Sequence, residues 1–317
     1  MDGTLKDLRL PGLWPASARP GMTILVNAKA GLGRGADPAA RIEALLAAKG
    51  VRATVHKAHR ASDLVALARQ AVALGSDLLV AAGGDGTVNA IASVVVETDS
   101  VLGVIPMGTF NNFARDLGLP LDTESALDTL LGGRVVRVDV GEVNGRIFLN
   151  NSNLGLYPEI VAQRLWRQRL GMRKWPAFLL ATLRILRRYP LLDVRLGTSA
   201  SEGGGPTPLV FVGNNAYGMD GPGLGRRQRL DGGRLSLYTF HATRRFELLQ
   251  LLLGMLFRRI RNRQVLDLAL VEEVWIHTRR RKLRVATDGE VTELSGPLHY
   301  RVRAGALRVV APRREPA

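Results

Sequence analysis

A short glycine-rich sequence in the N-terminal half of the chain contains the residues best suited to chemistry. It reads Gly83-Gly84-Asp85-Gly86-Thr87 and lies between an apolar run, Leu78–Ala82, and a helix-like stretch, Val88–Val95. A strand that ends in glycines and continues as a helix directs free backbone N–H groups at one point, where the helix dipole favours a phosphate. Glycine also lets a ligand approach the backbone closely, because no Cβ intervenes. The Asp85 carboxylate would repel a phosphate unless a metal ion or a positioned hydroxyl group offsets its charge.

A second polar cluster follows the next predicted strand, Val101–Ile105. It reads Pro106-Met107-Gly108-Thr109-Phe110-Asn111-Asn112-Phe113-Ala114-Arg115. A glycine turn alone also fits an ordinary connection between a strand and a helix. Two such strand-to-loop transitions joined by one short αβ unit favour two walls of a single cleft, and therefore a nucleotide site.

The two clusters together resemble the diacylglycerol kinase catalytic family, which includes bacterial lipid kinases and sphingosine and ceramide kinases. The resemblance rests on GGDGT followed by PxGTxNxFAR and extends from about Met22 to Pro312. GGDGT alone is shared with NAD kinases, and 6-phosphofructokinases carry a related form. The second motif and the C-terminal features favour the lipid kinases. The resemblance implies ATP and Mg²⁺ as cofactors and a membrane lipid, diacylglycerol by default, as phosphate acceptor.

The resemblance also implies which residues form the site. The residues expected to contact the nucleotide are Asn27, Gly31, Gly83, Gly84, Gly86, Thr87, Asn89, Gly108 and Thr109. Asp85 would help to hold Mg²⁺ through ATP or orient the acceptor. Thr287-Asp288-Gly289-Glu290 resembles the family's DGE motif, whose Glu is assigned as the general base, so Glu290 is expected to take the proton of the acceptor hydroxyl.

Two positions depart from the family pattern. Asn112 stands where the family usually has an Asp, and an amide cannot supply the lost charge. A structural Mg²⁺ in the family is bound by an Asp near a Leu-x-Val strand, but here Gly232 falls on that position and Asp231 lies one residue early. We therefore expect no tightly held structural Mg²⁺ at Asp231.

The elements around these motifs predict two domains. Strands alternate with helices through residue 133, which predicts an α/β domain with a doubly wound parallel sheet of the NAD kinase and phosphofructokinase type. After Gly133 the pattern changes to short alternating strands, with a hairpin turn at Asn144-Gly145, which predicts a mainly-β sandwich. The expected division is an N-terminal arm, 1–20, a nucleotide-binding domain, 21–133, and a lipid-substrate domain, 134–317.

Local signals make further predictions about single elements. Asp37-Pro38 predicts the start of a helix, and Ser62 or Asp63 is expected to cap the next one. The glycine- and proline-rich stretch Ser201–Pro208 is expected to be an exposed loop. Near the C-terminus, His299–Val302 and Leu307–Val310 are predicted as two strands.

The composition of the chain limits the cellular compartments and the kinds of partner that we expect for the protein. The chain has 317 residues, 46% of them hydrophobic, no cysteine and a formal net charge of +16. No signal peptide and no run of about 18 apolar residues is visible, so we expect a cytoplasmic protein that associates peripherally with a membrane. Two segments, Ile160–Tyr189 and Thr243–Arg263, combine basic and apolar residues as interfacial helices do, although helices with a solvated basic face fit them equally well.

The partners expected from this reading are a lipid substrate and an anionic membrane surface. A nucleic-acid partner is not expected, because no helix-turn-helix, zinc or RNA-stacking motif occurs. A homodimer is left open. The alternatives are an NAD kinase-like enzyme and a catalytically inactive homologue that binds nucleotide or membrane, which Asn112 and Gly232 keep open.

Overall fold

The computed structural model describes residues 21–28, 37–158, 191–198, 202–218, 226–227, 229–240 and 266–313. The described residues form two compact units. The first unit contains the described residues up to Val140, within Gln228–Gly232 and from Ala304 onward. The second unit contains the described residues within Gly141–Arg227 and Gly233–Arg303. The expected N-terminal arm, Gly31 and both basic segments lie outside the described residues. No helix in the described ranges is long and apolar enough to cross a membrane.

The first unit is built on a parallel sheet. Its strands lie in the order β2-β1-β3-β4, with bounds β1 (Met22–Asn27), β2 (Thr54–Ala58), β3 (Leu78–Gly83) and β4 (Val101–Pro106). The connecting helices are α1 (Pro38–Ala48), α2 (Ala61–Ala73), α3 (Asp85–Val95), α4 (Asn112–Asp116) and α5 (Thr123–Gly132). All residues of β3 and β4 are buried, as expected of parallel strands covered on both faces.

Helices cover both faces of this sheet. Alternate residues of the central strands, such as Ile24 and Val80, form one apolar cluster with Ile42 of α1 and Leu127 of α5. Successive side chains of a strand point to opposite faces, so Leu79 points away from that cluster. It is nevertheless fully buried, and α2 and α3 pack against each other and against β1 and β3. The predicted doubly wound α/β fold is therefore confirmed.

The helix starts show one correct and one wrong prediction. Asp37 caps α1 by accepting a hydrogen bond from the Ala39 N–H at 3.1 Å, and Pro38 occupies the first turn. The predicted cap of α2 is wrong, because that helix begins at Ala61 after Arg60, which makes no side-chain cap. The Ser62 hydroxyl instead bonds to the neighbouring Asp63 carboxylate at 3.2 Å.

The second unit consists of two antiparallel sheets around one core. One sheet has the order β16-β13-β8-β9, formed by β8 (Leu192–Gly197), β9 (Glu202–Thr207), β13 (Glu273–Thr278) and the first part of β16 (Leu298–Ala311). The other has the order β12-β11-β10-β7-β14-β15, formed by β7 (Asn151–Gly155), β10 (Leu209–Asn214), β11 (Leu235–Phe240), β12 (Leu266–Val271), β14 (Lys282–Thr287) and β15 (Glu290–Ser295). Apolar residues of both sheets share one core, so this unit is the predicted β-sandwich.

Two strands are divided between the units. The hairpin strand β5 (Arg134–Val143) starts in the first unit and pairs with β6 (Arg146–Phe148) in the second. Strand β16 pairs with β13 near its start, and near its end Val309 pairs in parallel with Leu102 of β4. The first unit thus also contains Gln228–Gly232 and the residues from Ala304 onward. The sequence-based prediction was a single domain over 134–317. A local pattern does not reveal that a distant segment returns.

Two local predictions in the second unit are wrong. Ser201–Pro208 is not a loop, because Glu202–Thr207 pairs along the whole of β8 as an edge strand. Gly204 and Gly205 adopt φ values of +138° and +149°, which only glycine adopts readily. The two predicted strands near the C-terminus are one strand, β16, which passes through Gly305 with φ +58°.

Candidate active site

The loop between β3 and α3 presents a helix N-terminus without a side-chain cap. Gly83 ends β3, and Gly84 is the N-cap of α3 in an extended conformation. Because glycine has no side-chain acceptor, no side chain of the cap residue occupies the first N–H groups of the helix, although the Thr87 N–H donates to the Gly84 carbonyl at 2.9 Å. A Cβ on Gly83 would lie 2.4 Å from Thr87 Oγ1, so glycine is needed there for the Thr87 side chain to fold back over the loop.

The second loop lies directly against the first. Strands β3 and β4 are neighbours, and the Met107 N–H donates to the Gly83 carbonyl at 2.8 Å. A Cβ on Gly108 would lie 2.5 Å from the Gly84 Cα, and one on Gly84 would lie 3.1 Å from the Gly108 Cα. The structure therefore brings the two glycine clusters into backbone contact at the carboxyl ends of adjacent parallel strands, where ligands bind in such sheets.

Asn111 shapes the second loop, although it was not among the predicted site residues. Its backbone is left-handed, with φ +51°. Its side chain accepts from the Gly108 N–H and donates to the Gly108 carbonyl, both at 2.9 Å. The amide thus closes the loop into a tight ring. The residue type itself is a sequence signal for this role, because asparagine most readily combines a left-handed backbone with local side-chain hydrogen bonds.

Asp85 connects the two loops electrostatically. Its Oδ1 accepts a hydrogen bond from the Phe113 N–H at 3.2 Å, at the beginning of α4. Burial raises the pKa of Asp85, and the N–H groups of Phe113, Asn112 and Asn111 oppose that shift. Asn112, the position where the family has an Asp, is the exposed first residue of α4.

Three other predicted nucleotide residues, Asn27, Gly86 and Asn89, lie on α3 or contact it. Asn27, at the end of β1, donates from Nδ2 to Thr87 Oγ1 at 3.0 Å, so the end of a third strand joins the site. Gly86 and Asn89 lie on α3. The Asn89 Oδ1 atom is buried without a hydrogen-bond partner among the described residues, and Thr109 is exposed. These features fit a phosphate-bearing nucleotide, since N–H donors and small residues converge where the backbone can be approached closely.

Asp288 anchors the turn that carries the predicted base. Asp288 and Gly289, both with positive φ, connect β14 to β15, and Glu290 is the exposed first residue of β15. The Asp288 carboxylate accepts three backbone N–H bonds, from Leu149 at 2.7 Å, Asn150 at 2.8 Å and Asn151 at 3.1 Å. Burial raises the pKa of Asp288, and the three N–H groups and Arg227 oppose the shift. Asp288 is thus a structural part of the motif.

A buried arginine supports the same backbone segment. Arg227, which is 5% exposed, donates from Nη2 to Asn150 Oδ1 at 2.8 Å and from Nη1 to the Leu149 carbonyl. Tyr217 donates from its hydroxyl to the Asn150 carbonyl at 2.8 Å, and its ring lies under the Arg227 guanidinium. Sequence reasoning did not find this network, because its members are far apart in the chain.

The structure places the predicted site residues in two groups. Asn27, the two glycine clusters and Asp85 come together in the first unit, and Glu290 lies beside Asp288 in the second. Asp231 belongs to neither group. Its carboxylate accepts from Arg229 Nε at 3.1 Å, and no cluster of three or more His, Asp or Glu residues suited to a metal occurs in the described part of the chain.

The second unit also contains an apolar pocket. It has a volume of about 200 Å³ and lies between the β8–β9 hairpin and strands β11 and β12. Its lining includes Val194, Leu196, Pro206, Leu237 and Leu268. Threonine hydroxyls supply most of the polar side-chain groups in the lining, so the pocket suits a hydrocarbon group better than a charged one.

Comparison with known proteins finds a similarity to the same family in the N-terminal half of the chain. The diacylglycerol kinase catalytic domain matches residues 21–143. A diacylglycerol kinase of Bacillus subtilis (strain 168) is 40% identical over 114 residues, which is 35% of this chain and 38% of the relative. One of Staphylococcus saprophyticus is 39% identical over 103 residues, 32% of this chain and 34% of the relative. These matches thus span little more than a third of the relatives' lengths.

Solved structures support the fold over a longer stretch. The crystal structure of a diacylglycerol kinase from Bacillus anthracis str. Sterne has a TM-score of 0.65 at 19% identity, covering 92% of this chain and 96% of that one. A second structure from the same organism has a TM-score of 0.70 at 22% identity and the same coverage. At such identities the likeness shows the fold alone. Residues 21–143, which contain both glycine loops, are thus similar to the catalytic domain of diacylglycerol kinases.

Proposed function

We propose that this protein transfers the γ-phosphate of ATP to a hydroxyl group of a membrane lipid, with diacylglycerol as the default acceptor. The observation that carries the proposal is the backbone contact between Gly84 and Gly108 at the uncapped N-terminus of α3. A negatively charged phosphate is stabilised by the N–H groups and the dipole at such a point. The relatives named diacylglycerol kinase support the choice of reaction.

In this proposal the first unit holds the nucleotide. Gly84 and Gly108 give the phosphates access to the backbone, and Asn27 fixes Thr87 beside them. Mg²⁺ bound with ATP would neutralise charge that develops on the transferred phosphate. Asp85 has the carboxylate to hold that ion or to orient the acceptor. Its bond to Phe113 fixes the direction in which the carboxylate points.

Glu290 is proposed to act as the general base. The acceptor oxygen forms a bond to the γ-phosphorus while the bond from that phosphorus to ADP breaks, and the hydroxyl proton passes to the Glu290 carboxylate. Glu290 is exposed and follows a turn that the three bonds of Asp288 hold rigid, so its backbone is fixed while its side chain can reach a substrate. Positioning of this kind supplies much of the catalysis in phosphoryl transfer.

The apolar pocket favours a lipid acceptor over NAD. An NAD kinase-like enzyme would phosphorylate a polar dinucleotide, which has no use for a hydrocarbon-lined pocket. Asn112 keeps open a second alternative, a catalytically inactive homologue that binds nucleotide or membrane, because the family's Asp at that position is missing.

One assay separates these functions. The protein is incubated with labelled ATP and, in turn, diacylglycerol, a sphingoid base, ceramide and NAD, with Asp85→Asn as the inactive control. Transfer of label to a lipid by the wild type alone supports the proposal. Labelled NAD would favour the NAD kinase-like enzyme, and nucleotide binding without transfer to any acceptor would favour the inactive homologue.

A further inference from the structure

Four consecutive basic residues connect β13 to β14: Arg279, Arg280 and Arg281 form the turn, and Lys282 is the first residue of β14. All four are exposed, and Arg284 on β14 is exposed as well. We call the four residues 279–282 the basic turn. They form the longest run of consecutive lysine and arginine residues in the sequence. The basic turn belongs to the second unit, outside the nucleotide loops.

The outer residues of the basic turn are paired and the inner ones are not. Arg279 Nε lies 3.1 Å from Asp193 Oδ2, and Lys282 Nζ lies 3.0 Å from Glu293 Oε1. Arg280 and Arg281 have no acidic partner among the described residues. Their backbone is nevertheless fixed, because the Arg280 carbonyl accepts from Thr278 Oγ1 and the Arg281 carbonyl accepts from the Gly296 N–H. A held backbone thus presents two uncompensated guanidinium groups to solvent.

The basic turn is tied to a strand that lines the apolar pocket. Arg279 pairs with Asp193 of β8, and Asp193 lies opposite Pro206 of β9 in the strand register. Pro206 and Val194, the neighbour of Asp193, both line the pocket. The Arg279–Asp193 pair therefore attaches the basic turn to the outer face of a strand whose inner face lines the pocket. The two uncompensated guanidinium groups of Arg280 and Arg281 match the phosphate groups at the surface of an anionic bilayer.

We propose that the basic turn docks this protein on an anionic lipid bilayer through Arg280 and Arg281. The proposal rests on the proposed function in one respect, because a lipid substrate requires the protein to bind a membrane. The charge distribution of the basic turn does not depend on that function. A nucleic acid fits less well. Trp275, the aromatic residue on β13, already stacks on His299 with ring centroids 4.1 Å apart, and the Glu273 carboxylate accepts from its Nε1. A base would find that face of the ring covered and an acid beside it.

Vesicle sedimentation tests the proposal with the full chain. Vesicles of phosphatidylcholine alone are compared with vesicles containing phosphatidylglycerol, from low to high salt. The double variant Arg280→Gln/Arg281→Gln should partition onto the anionic vesicles about 30-fold more weakly than the wild type, which corresponds to about 1 kcal/mol for each arginine. The matched control is Arg41→Gln/Arg69→Gln, which removes two exposed charges from α1 and α2 and should bind like the wild type.

The result that overturns the proposal is equal binding of the wild type and the double variant, or an equal loss in the Arg41/Arg69 control. A double variant that loses affinity for duplex DNA but keeps its affinity for vesicles would also overturn it. Activity is measured separately, with a water-soluble short-chain diacylglycerol and with diacylglycerol embedded in vesicles. A loss confined to the embedded substrate supports docking. If the wild type transfers no phosphate to either substrate, the proposed function fails, and the vesicle comparison still decides the docking proposal.

Discussion

The Asp85 carboxylate accepts a hydrogen bond from the Phe113 N–H at 3.2 Å and so connects the two glycine-rich loops of the first unit. The acid of the first glycine loop therefore also holds the start of α4. Substitution of Asp85 by Asn separates the two roles, because an amide oxygen can still accept the hydrogen bond but cannot supply the charge.

We expect Asp85→Asn to lower the turnover of lipid phosphorylation by orders of magnitude while the fold is kept. The amide oxygen can retain the bond to Phe113, whereas a neutral group neither holds Mg²⁺ well nor orients the acceptor by charge. Steady-state kinetics with circular dichroism as the folding check measures this. A folded variant with turnover near that of the wild type would remove Asp85 from the mechanism.

The pH dependence of stability should differ between Asp85→Asn and the wild type. Burial raises the pKa of Asp85 in the folded protein above its ordinary value of 3.8. Its contribution to stability is then greatest below that value and is lost as the pH rises through the folded-state pKa. The stability of the variant relative to the wild type should therefore increase from pH 4 to pH 7 in urea unfolding. A relative stability that falls with pH would contradict the burial effect.

Substitution of the two contacting glycines should give graded effects. A Cβ on Gly108 would meet the backbone of Gly84 at 2.5 Å, whereas a Cβ on Gly84 would meet Gly108 at 3.1 Å. Gly108→Ala should thus weaken nucleotide binding more than Gly84→Ala does, as calorimetric titration would show. Gly132→Ala is the control, since a Cβ there has no heavy atom within 4 Å. Unchanged ATP affinity in both loop variants would place the nucleotide elsewhere.

Glu290→Gln should reduce turnover about 10²- to 10⁴-fold, because an amide cannot take the acceptor proton. ATP affinity and thermal stability should change little, since Glu290 is an exposed residue at the start of an edge strand. Glu293→Gln on the same strand serves as the control and should keep near-normal turnover. The general-base assignment fails if Glu290→Gln loses ATP affinity while its rate constant survives.

Asp288→Ala should destabilise the protein by about 2–4 kcal/mol, because three backbone N–H groups lose their acceptor at once. The comparison is Asp193→Ala, which removes an exposed acid whose ion pair with Arg279 contributes about 1 kcal/mol or less. Urea unfolding of both variants gives the two values. Equal losses would show that the Asp288 bonds do not stabilise the turn.

Local features of the chain could be predicted from sequence. The strand, glycine turn and helix around Gly84 follow from an apolar run, two glycines and helical periodicity within a few residues. The start of α1 follows from Asp37 and Pro38 in the same way. The resemblance also indicated the family, because both loops keep enough of the family's residue types to be recognised.

Contacts between distant residues were decided by the tertiary structure. Asp288 bonds to Leu149, 139 positions away, and β16 returns to pair with β4. Such partners are selected by the packing of whole sheets, which depends on burial and register across the chain. Periodicity, capping and turn residues act over a few positions, so they fix where elements begin and end but not which of them meet.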